Sequence, residues 1–168
     1  LLEQVWAPAK ALLAREKLQL QALARKQGLN PDIQPWDWRY LAEKARLEHY
    51  ALDDAEVKPY FSLENMQAAM FDVAGRLFGL SFAERDDLPR YHPDVKGWEV
   101  YRHGELIGVF LSDNFARPGK SGGAWASIYR AQGRNGGRSL PITVNNTNFI
   151  KGSPTLLSFD DVRTLFHE

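Results

Sequence analysis

Met66-Gln-Ala-Ala-Met70-Phe-Asp-Val73-Ala-Gly-Arg-Leu77-Phe-Gly79-Leu80-Ser81-Phe-Ala-Glu84 is the stretch in which this sequence changes period. Up to Phe78, Met66, Met70, Val73 and Leu77 recur at the three- and four-residue steps of one helical face. Ser62 upstream is a good N-cap, and Gly79 closes the helix. Beyond Leu80 the apolar residues come in short β-branched or aromatic runs, Ser81–Glu84, Trp98–Arg102, Leu106–Leu111, Ala124–Tyr129 and Ile142–Asn146, separated by Gly, Pro and Asn clusters. Arg102-His103-Gly104-Glu105 reads as a tight hairpin turn. Helices before this point and strands after it predict an α+β arrangement: a helical section over 1–79, then a small, mainly antiparallel sheet over 80–150.

The upstream section carries two further helices. Residues 1–27 contain no glycine and only an early Pro8, and Leu2, Val5, Ala9, Leu12, Leu13, Leu20 and Leu23 recur at near-helical spacing, so a long helix is expected to end at Gly28. Asn30-Pro31 and Gln34-Pro35 make a turn. A second helix follows over 37–52, with Trp36, Tyr40, Leu41, Leu47 and Tyr50 expected as core bulk. At the far end, Ser158-Phe-Asp-Asp-Val-Arg-Thr-Leu-Phe-His-Glu168 opens with a capping box, Ser158 and Asp161. Phe159, Val162, Leu165 and Phe166 are expected to face a core, and His167 to point away from most of that stripe. No internal repeat divides the chain, and 1–168 reads as one region.

Composition narrows the function. Of 168 residues 44% are hydrophobic and 12% aromatic, which is the make-up of a folded domain with a real core. Twenty-one basic residues balance 21 acidic ones, so no overall field draws the chain to nucleic acid or to anionic lipid. The absence of cysteine excludes disulfides, thiolate metal sites and a cysteine nucleophile, and fits a reducing compartment such as the cytoplasm. No run of about 18 apolar residues is present to span a membrane. The start, Leu-Leu-Glu-Gln, has neither an initiator Met nor a signal pattern, so a preceding portion of the natural protein is expected to be missing.

Three places carry candidate chemistry. His167-Glu168 supplies the first two letters of H-E-x-x-H, a motif in which two histidines one helical turn apart bind zinc and the Glu activates the bound water; a solvated helix end is the alternative. Arg130-Ala-Gln-Gly-Arg134-Asn-Gly-Gly-Arg138 could grip a phosphate or a carboxylate, or be a mobile hairpin tip kept soluble by charge. Ser112 to Gly123 is a second irregular stretch, and the strand that follows at Ala124 could pair with an extended peptide if its edge is free; ordinary connection geometry is the alternative. His49, His92 and His103 read as structural or solvated. The Gly-x-Ser-x-Gly elbow is absent, so a hydrolase built on this chain would be metal-dependent.

Several segments together resemble the family of zinc metallopeptidases that includes thimet oligopeptidase, oligopeptidase A and bacterial peptidyl-dipeptidase. They are Pro35-Trp-Asp-Trp-Arg-Tyr40, Val57-Lys-Pro-Tyr-Phe61, Phe71 to Gly79, Tyr91-His-Pro-Asp-Val95, Gly108 to Pro118, Ser121-Gly-Gly-Ala-Trp125 and Leu156 to Glu168. Their order is the family's order, and Phe115-Ala-Arg117 followed by Lys120-Ser-Gly-Gly-Ala-Trp125 resembles the peptidyl-dipeptidase and oligopeptidase A branch.

The resemblance implies a fragment of a mostly helical, zincin-like peptidase that cleaves short peptides. It makes His167 a zinc ligand and Glu168 the catalytic base, and puts Gly122, Gly123, Ala124 and Trp125 near the peptide-binding edge. It also implies that 158–168 begins the zinc-binding helix and that the remaining ligands lie in sequence beyond Glu168. The chain alone is therefore expected to hold zinc weakly and to be inactive, with the missing C-terminal half of the same protein as a partner. Any homo-oligomer would then reflect truncation. A non-catalytic peptide-binding module using the edge strand after Gly123 is the competing expectation.

Overall fold

The computed structural model describes residues 1–50 and 54–168. The chain forms two compact units, Leu1–Asp53 and Asp54–Glu168.

The first unit is a helical pair. Helix α1 (Leu2–Lys26) ends, as expected, just before Gly28, which takes a φ of 70°. Helix α2 spans Trp38–Tyr50, and positions 51 and 52 of the expected helix lie outside the described residues. Leu20, Ala24, Ile33 and Leu41 form the core, with Trp38 and Ala45 packed against it. Trp38, Leu41 and Ala45 share a helical face, whereas Tyr40 is turned about 200° from Trp38 at 3.6 residues per turn. Tyr40 and Tyr50 are accordingly exposed, and Trp36 is 77% exposed, so these three are not the core bulk expected of them. Leu2, Val5, Leu12 and Leu13 of the α1 stripe are also exposed, and only its last turns are covered.

The second unit opens with a short helix α3 (Asp54–Val57) and a 3-10 turn (Lys58–Tyr60), then helix α4 (Leu63–Phe78). Both of its caps are those read from sequence: Ser62 Oγ accepts from the Asn65 N–H at 3.2 Å, and Gly79 is left-handed at φ 67°. Five strands follow, β1 (Leu80–Glu84), β2 (Lys96–Arg102), β3 (Glu105–Phe115), β4 (Trp125–Arg130) and β5 (Ile142–Phe149), in the order β1-β2-β3-β5-β4. All neighbours are antiparallel except β3 and β5. His103 and Gly104 both have positive φ in the predicted hairpin turn, where Arg102 pairs with Glu105.

Two sheet faces have different work. On one, α4 lays Phe71 against Phe82, stacked at 4.1 Å between ring centroids, and edge-on to Trp98 and Phe110. On the other, Val95, Leu111 and Val144 are buried together. Helix α5 (Phe159–His167) closes the unit through a third cluster, Leu63, Phe149, Leu157 and Leu165. The chain before α5 is tied to the start of α4: the Leu63 N–H donates to Thr155 O at 2.9 Å, and the Leu157 N–H to Phe61 O at 2.8 Å. The fold is α+β.

Candidate functional site at the end of α5 and the edge of the sheet

The capping box expected at the start of α5 is present. Ser158 Oγ accepts from the Asp161 N–H at 3.1 Å, and Asp161 Oδ2 accepts from the Ser158 N–H at 2.9 Å. Leu165, 1% exposed, fixes the helix in rotation. At about 100° per residue, position 167 lies about 200° from Leu165 and position 168 about 60° from it on the other side. His167 is therefore exposed, as its predicted orientation requires, and Glu168 turns back toward the sheet. Phe159 and Phe166 do not face the core as expected: Phe159 is exposed, and Phe166 is 42% exposed and borders the same space as Glu168. Val162 and Leu165 at i, i+3 already fill the buried face, which leaves the flanking aromatics outside it.

That space is a groove of about 610 Å³, walled by Met70, Phe71 and Ala74 of α4, by Phe82, Phe110, Thr143 and Asn145 of the sheet, and by Leu165 and Phe166 of α5 with Glu168 just past its end. Its outer wall is Ala126, Ser127 and Ile128 of β4. Strand β4 ends the sheet and pairs only with β5, so its other side is an edge. Of the sequence-predicted residues, Glu168 lines this groove and His167 does not. Trp125 belongs to a smaller cavity of about 290 Å³ with Tyr91, Asp113, Arg117, Lys120, Tyr129 and Asn146. Gly122, Gly123 and Ala124 lead into β4 and line neither space.

Behind the edge lies a buried polar seam that sequence reasoning missed. Asp113 is buried on β3, and Arg117 grips its carboxylate with two hydrogen bonds of 2.6 and 2.7 Å. Lys120 Nζ donates to Asp113 Oδ1 at 2.9 Å, and the Tyr91 hydroxyl donates to Oδ2 at 2.9 Å. Burial raises the pKa of Asp113, but the hydrogen bonds from Arg117, Lys120 and Tyr91 outweigh it and hold the carboxyl at about 2. Burial pushes the Lys120 ammonium down against the pull of Asp113, and burial with hydrogen bonding to Tyr129 and Asp113 pushes the Tyr91 hydroxyl up. An acidic strand residue followed at i+4 by Arg and at i+7 by Lys was the available signal.

The remaining candidates are engaged elsewhere. Arg130 Nε donates to Leu140 O at 2.7 Å, and Arg138 pairs with Glu105 while donating to Leu106 O at 3.0 Å, so two of the three loop arginines brace the sheet. His92 Nδ1 accepts from the Asp94 N–H at 3.2 Å in its turn. Among the described residues no group of three or more His, Cys, Asp or Glu could hold a metal ion. His167 offers an accessible imidazole, which is one donor where a catalytic zinc needs about three protein ligands. No described helix is long and apolar enough to cross a membrane.

Comparison with known proteins fits this geometry. The pattern of peptidase family M3 matches residues 1–168. The chain is 42% identical over 166 residues to a dipeptidyl carboxypeptidase of Salmonella typhimurium, covering 96% of this chain and 24% of that protein. It is 37% identical over 160 residues to oligopeptidase A of Escherichia coli, covering 92% and 24%. With saccharolysin of Saccharomyces cerevisiae it shares 31% over 157 residues, covering 84% and 22%. The chain thus spans about a quarter of the length of the curated relatives it matches. A match along the entire chain, with peptidases on every side, decides the family: the chain belongs to peptidase family M3.

Proposed function

We propose that this chain is part of a zinc-dependent oligopeptidase that hydrolyses peptide bonds in short peptides. The observation that carries the reading is the position of Glu168, on a groove whose outer wall is the sheet edge β4, in a chain of peptidase family M3. An extended peptide laid along β4 would add a strand to the sheet and bring its backbone past the Glu168 carboxylate. His167 would be one zinc ligand, with the others outside the described residues. When bound, zinc would lower the pKa of a bound water and polarise the scissile carbonyl. Glu168 would take the water's proton and hand it to the departing amine. Gly122 to Trp125 would guide the peptide onto the edge, and the apolar groove wall would receive side chains.

Short peptides are the substrates proposed, with neither nucleic acid nor membrane as partner. A cytoplasmic setting is part of the proposal; among the relatives, one from Arabidopsis thaliana is named a probable cytosolic oligopeptidase A and another organellar.

The test is made in a polypeptide of the relatives' length carrying this chain. Glu168→Gln is expected to keep its zinc and lose at least about 10²-fold in kcat, the scale of a general base, while His167→Ala loses the metal. Hydrolysis by Glu168→Gln within threefold of the unaltered enzyme would refute the assignment. The 168-residue chain by itself is expected to bind zinc weakly and to cleave nothing; stoichiometric tight zinc, or hydrolysis abolished by Glu168→Gln, would overturn that part.

A further inference from the structure

The loop that delivers the chain to β4 has no apolar anchor. Ala116, Pro118, Gly119, Ser121, Gly122 and Gly123 are all exposed. Something else must fix where Trp125 enters the sheet, because a glycine-rich loop without buried contacts samples many conformations.

Two residues of the loop are exceptions: Arg117, which grips Asp113, and Lys120, whose side chain is 4% exposed and runs furthest inward. Its three N–H donors are shared among four oxygens: Asp113 O at 2.8 Å, Asp113 Oδ1 at 2.9 Å, Phe115 O at 2.9 Å and Thr147 O. These belong to β3 and β5, at the point where their parallel register breaks between Asp113 and Phe115. One ammonium therefore ties the loop to both central strands at once. From the other side, Asn148 Nδ2 donates to Ser121 O at 2.8 Å and to Gly123 O at 2.7 Å. Residues 120–123 are held to the sheet at three points, immediately before the edge strand begins.

We propose that Lys120 is a positioning residue for peptide docking: its clamp on β3 and β5, completed by Asn148, sets the position of the 121–125 entry and hence of the β4 edge. The inference rests on the reading that peptide docks along β4. Lys120 touches neither peptide nor metal and acts through the strand it places. Methionine at 120 would match the stem but take the ammonium away from the carbonyls of Asp113, Phe115 and Thr147 and leave Asp113 Oδ1 to Arg117 alone, and arginine would bring a planar fork too large for a tetrahedral nest.

The test compares the unaltered chain with Lys120→Met and Asn148→Ala by amide hydrogen exchange, and measures KM and kcat for a short chromogenic peptide in the relatives'-length polypeptide carrying the same substitutions. The expected result is exchange of amides 121–130 at least about tenfold faster in both variants with 96–111 within threefold of the unaltered chain, and KM raised at least about fivefold with kcat within threefold. Exchange at 121–130 unchanged in both variants overturns the clamp. Faster exchange with unchanged KM shows that β4 is not where peptide docks, which sinks the positioning role together with the reading beneath it. Should Lys120→Met also lose protection at 96–111 through general unfolding, Asn148→Ala decides alone, since Asn148 carries no buried charge.

Discussion

Leu165→Ala is the substitution whose cost the structure defines best. The side chain is 1% exposed and packs among Leu63, Phe149 and Leu157. Truncation removes three buried carbons at about 0.8 kcal/mol each. Partial collapse of the site leaves a cavity that adds about 1 kcal/mol, for a total of about 3–4 kcal/mol. Because the chain has two units, a single melting curve would mix them, so the assay is native-state amide exchange read on β2 and β3. A loss of about 3–4 kcal/mol lowers their protection about 10²- to 10³-fold. The neighbouring Phe166→Ala removes a larger side chain that is 42% exposed, and is expected to lower protection less than about tenfold. If Leu165→Ala cost less than Phe166→Ala, the claim that Leu165, rather than Phe166, orients α5, and with it Glu168, would fail.

Further outcomes follow from the polar groups. Asp113 is held at about 2 against an ordinary 3.8, so its folded pKa is the lower of the two. Its contribution, about 2 kcal/mol, is complete above pH 4, is lost as pH falls from about 4 to about 2, and is gone below that; equilibrium unfolding of Asp113→Asn should lack that acid limb, and an unchanged limb would assign it elsewhere. Gln67 is buried on α4, and among the described residues its Nε2 has no hydrogen-bond partner. Gln67→Met should therefore stabilise the second unit by about 1 kcal/mol in the same exchange assay, and a loss of that size would show an unseen partner. Ser158→Ala removes the hydroxyl of the capping box and should cost about 1 kcal/mol, read as faster exchange at 159–162 with β3 unaffected.

What was legible in the sequence was local. The helix-to-strand switch at Gly79 and Leu80, both caps of α4, the capping box of α5 and the His103-Gly104 turn each depend on residues within a few positions of one another. The orientation of His167 against Leu165 is also a matter of helical angle. Strand ends were not legible. The strands expected over Leu106–Leu111 and Ile142–Asn146, with Ser112 opening an irregular stretch, are longer in the structure: β3 runs on to Phe115 and β5 to Phe149 through polar residues that are depleted in strands. Their polar side chains are accepted in the interior because partners from far along the chain satisfy them: Thr147 Oγ1 donates to Asn114 O at 2.9 Å, and Lys120 reaches Thr147 O across 27 positions. Pairings of that range leave no periodic mark. Tyr40 is exposed for the opposite reason, because a large side chain is buried only on the inner helical face, and Trp36 stands in the turn before α2, where no helical face governs it.

The location of the polar seam fits a constraint that the proposed chemistry would impose. An edge strand offered to a peptide must keep one side bare, and Ile128, 68% exposed, shows how little covers β4. Such an edge is also open to unwanted pairing, and a short strand of six residues ending in Arg130 limits that risk. The usual means of holding a strand, apolar packing on both faces, is unavailable where one face must line an open groove and the edge must stay free. Hydrogen bonds and ion pairs act from behind and in the plane of the sheet, and they fix position in all three directions where apolar contact fixes mainly depth. Asp113, Arg117, Lys120 and Asn148 supply that restraint from β3, β5 and the loop itself. On the proposed reading the buried charge is therefore retained for geometry: an apolar replacement of the whole set could match its stability while leaving the entry to β4 free to wander.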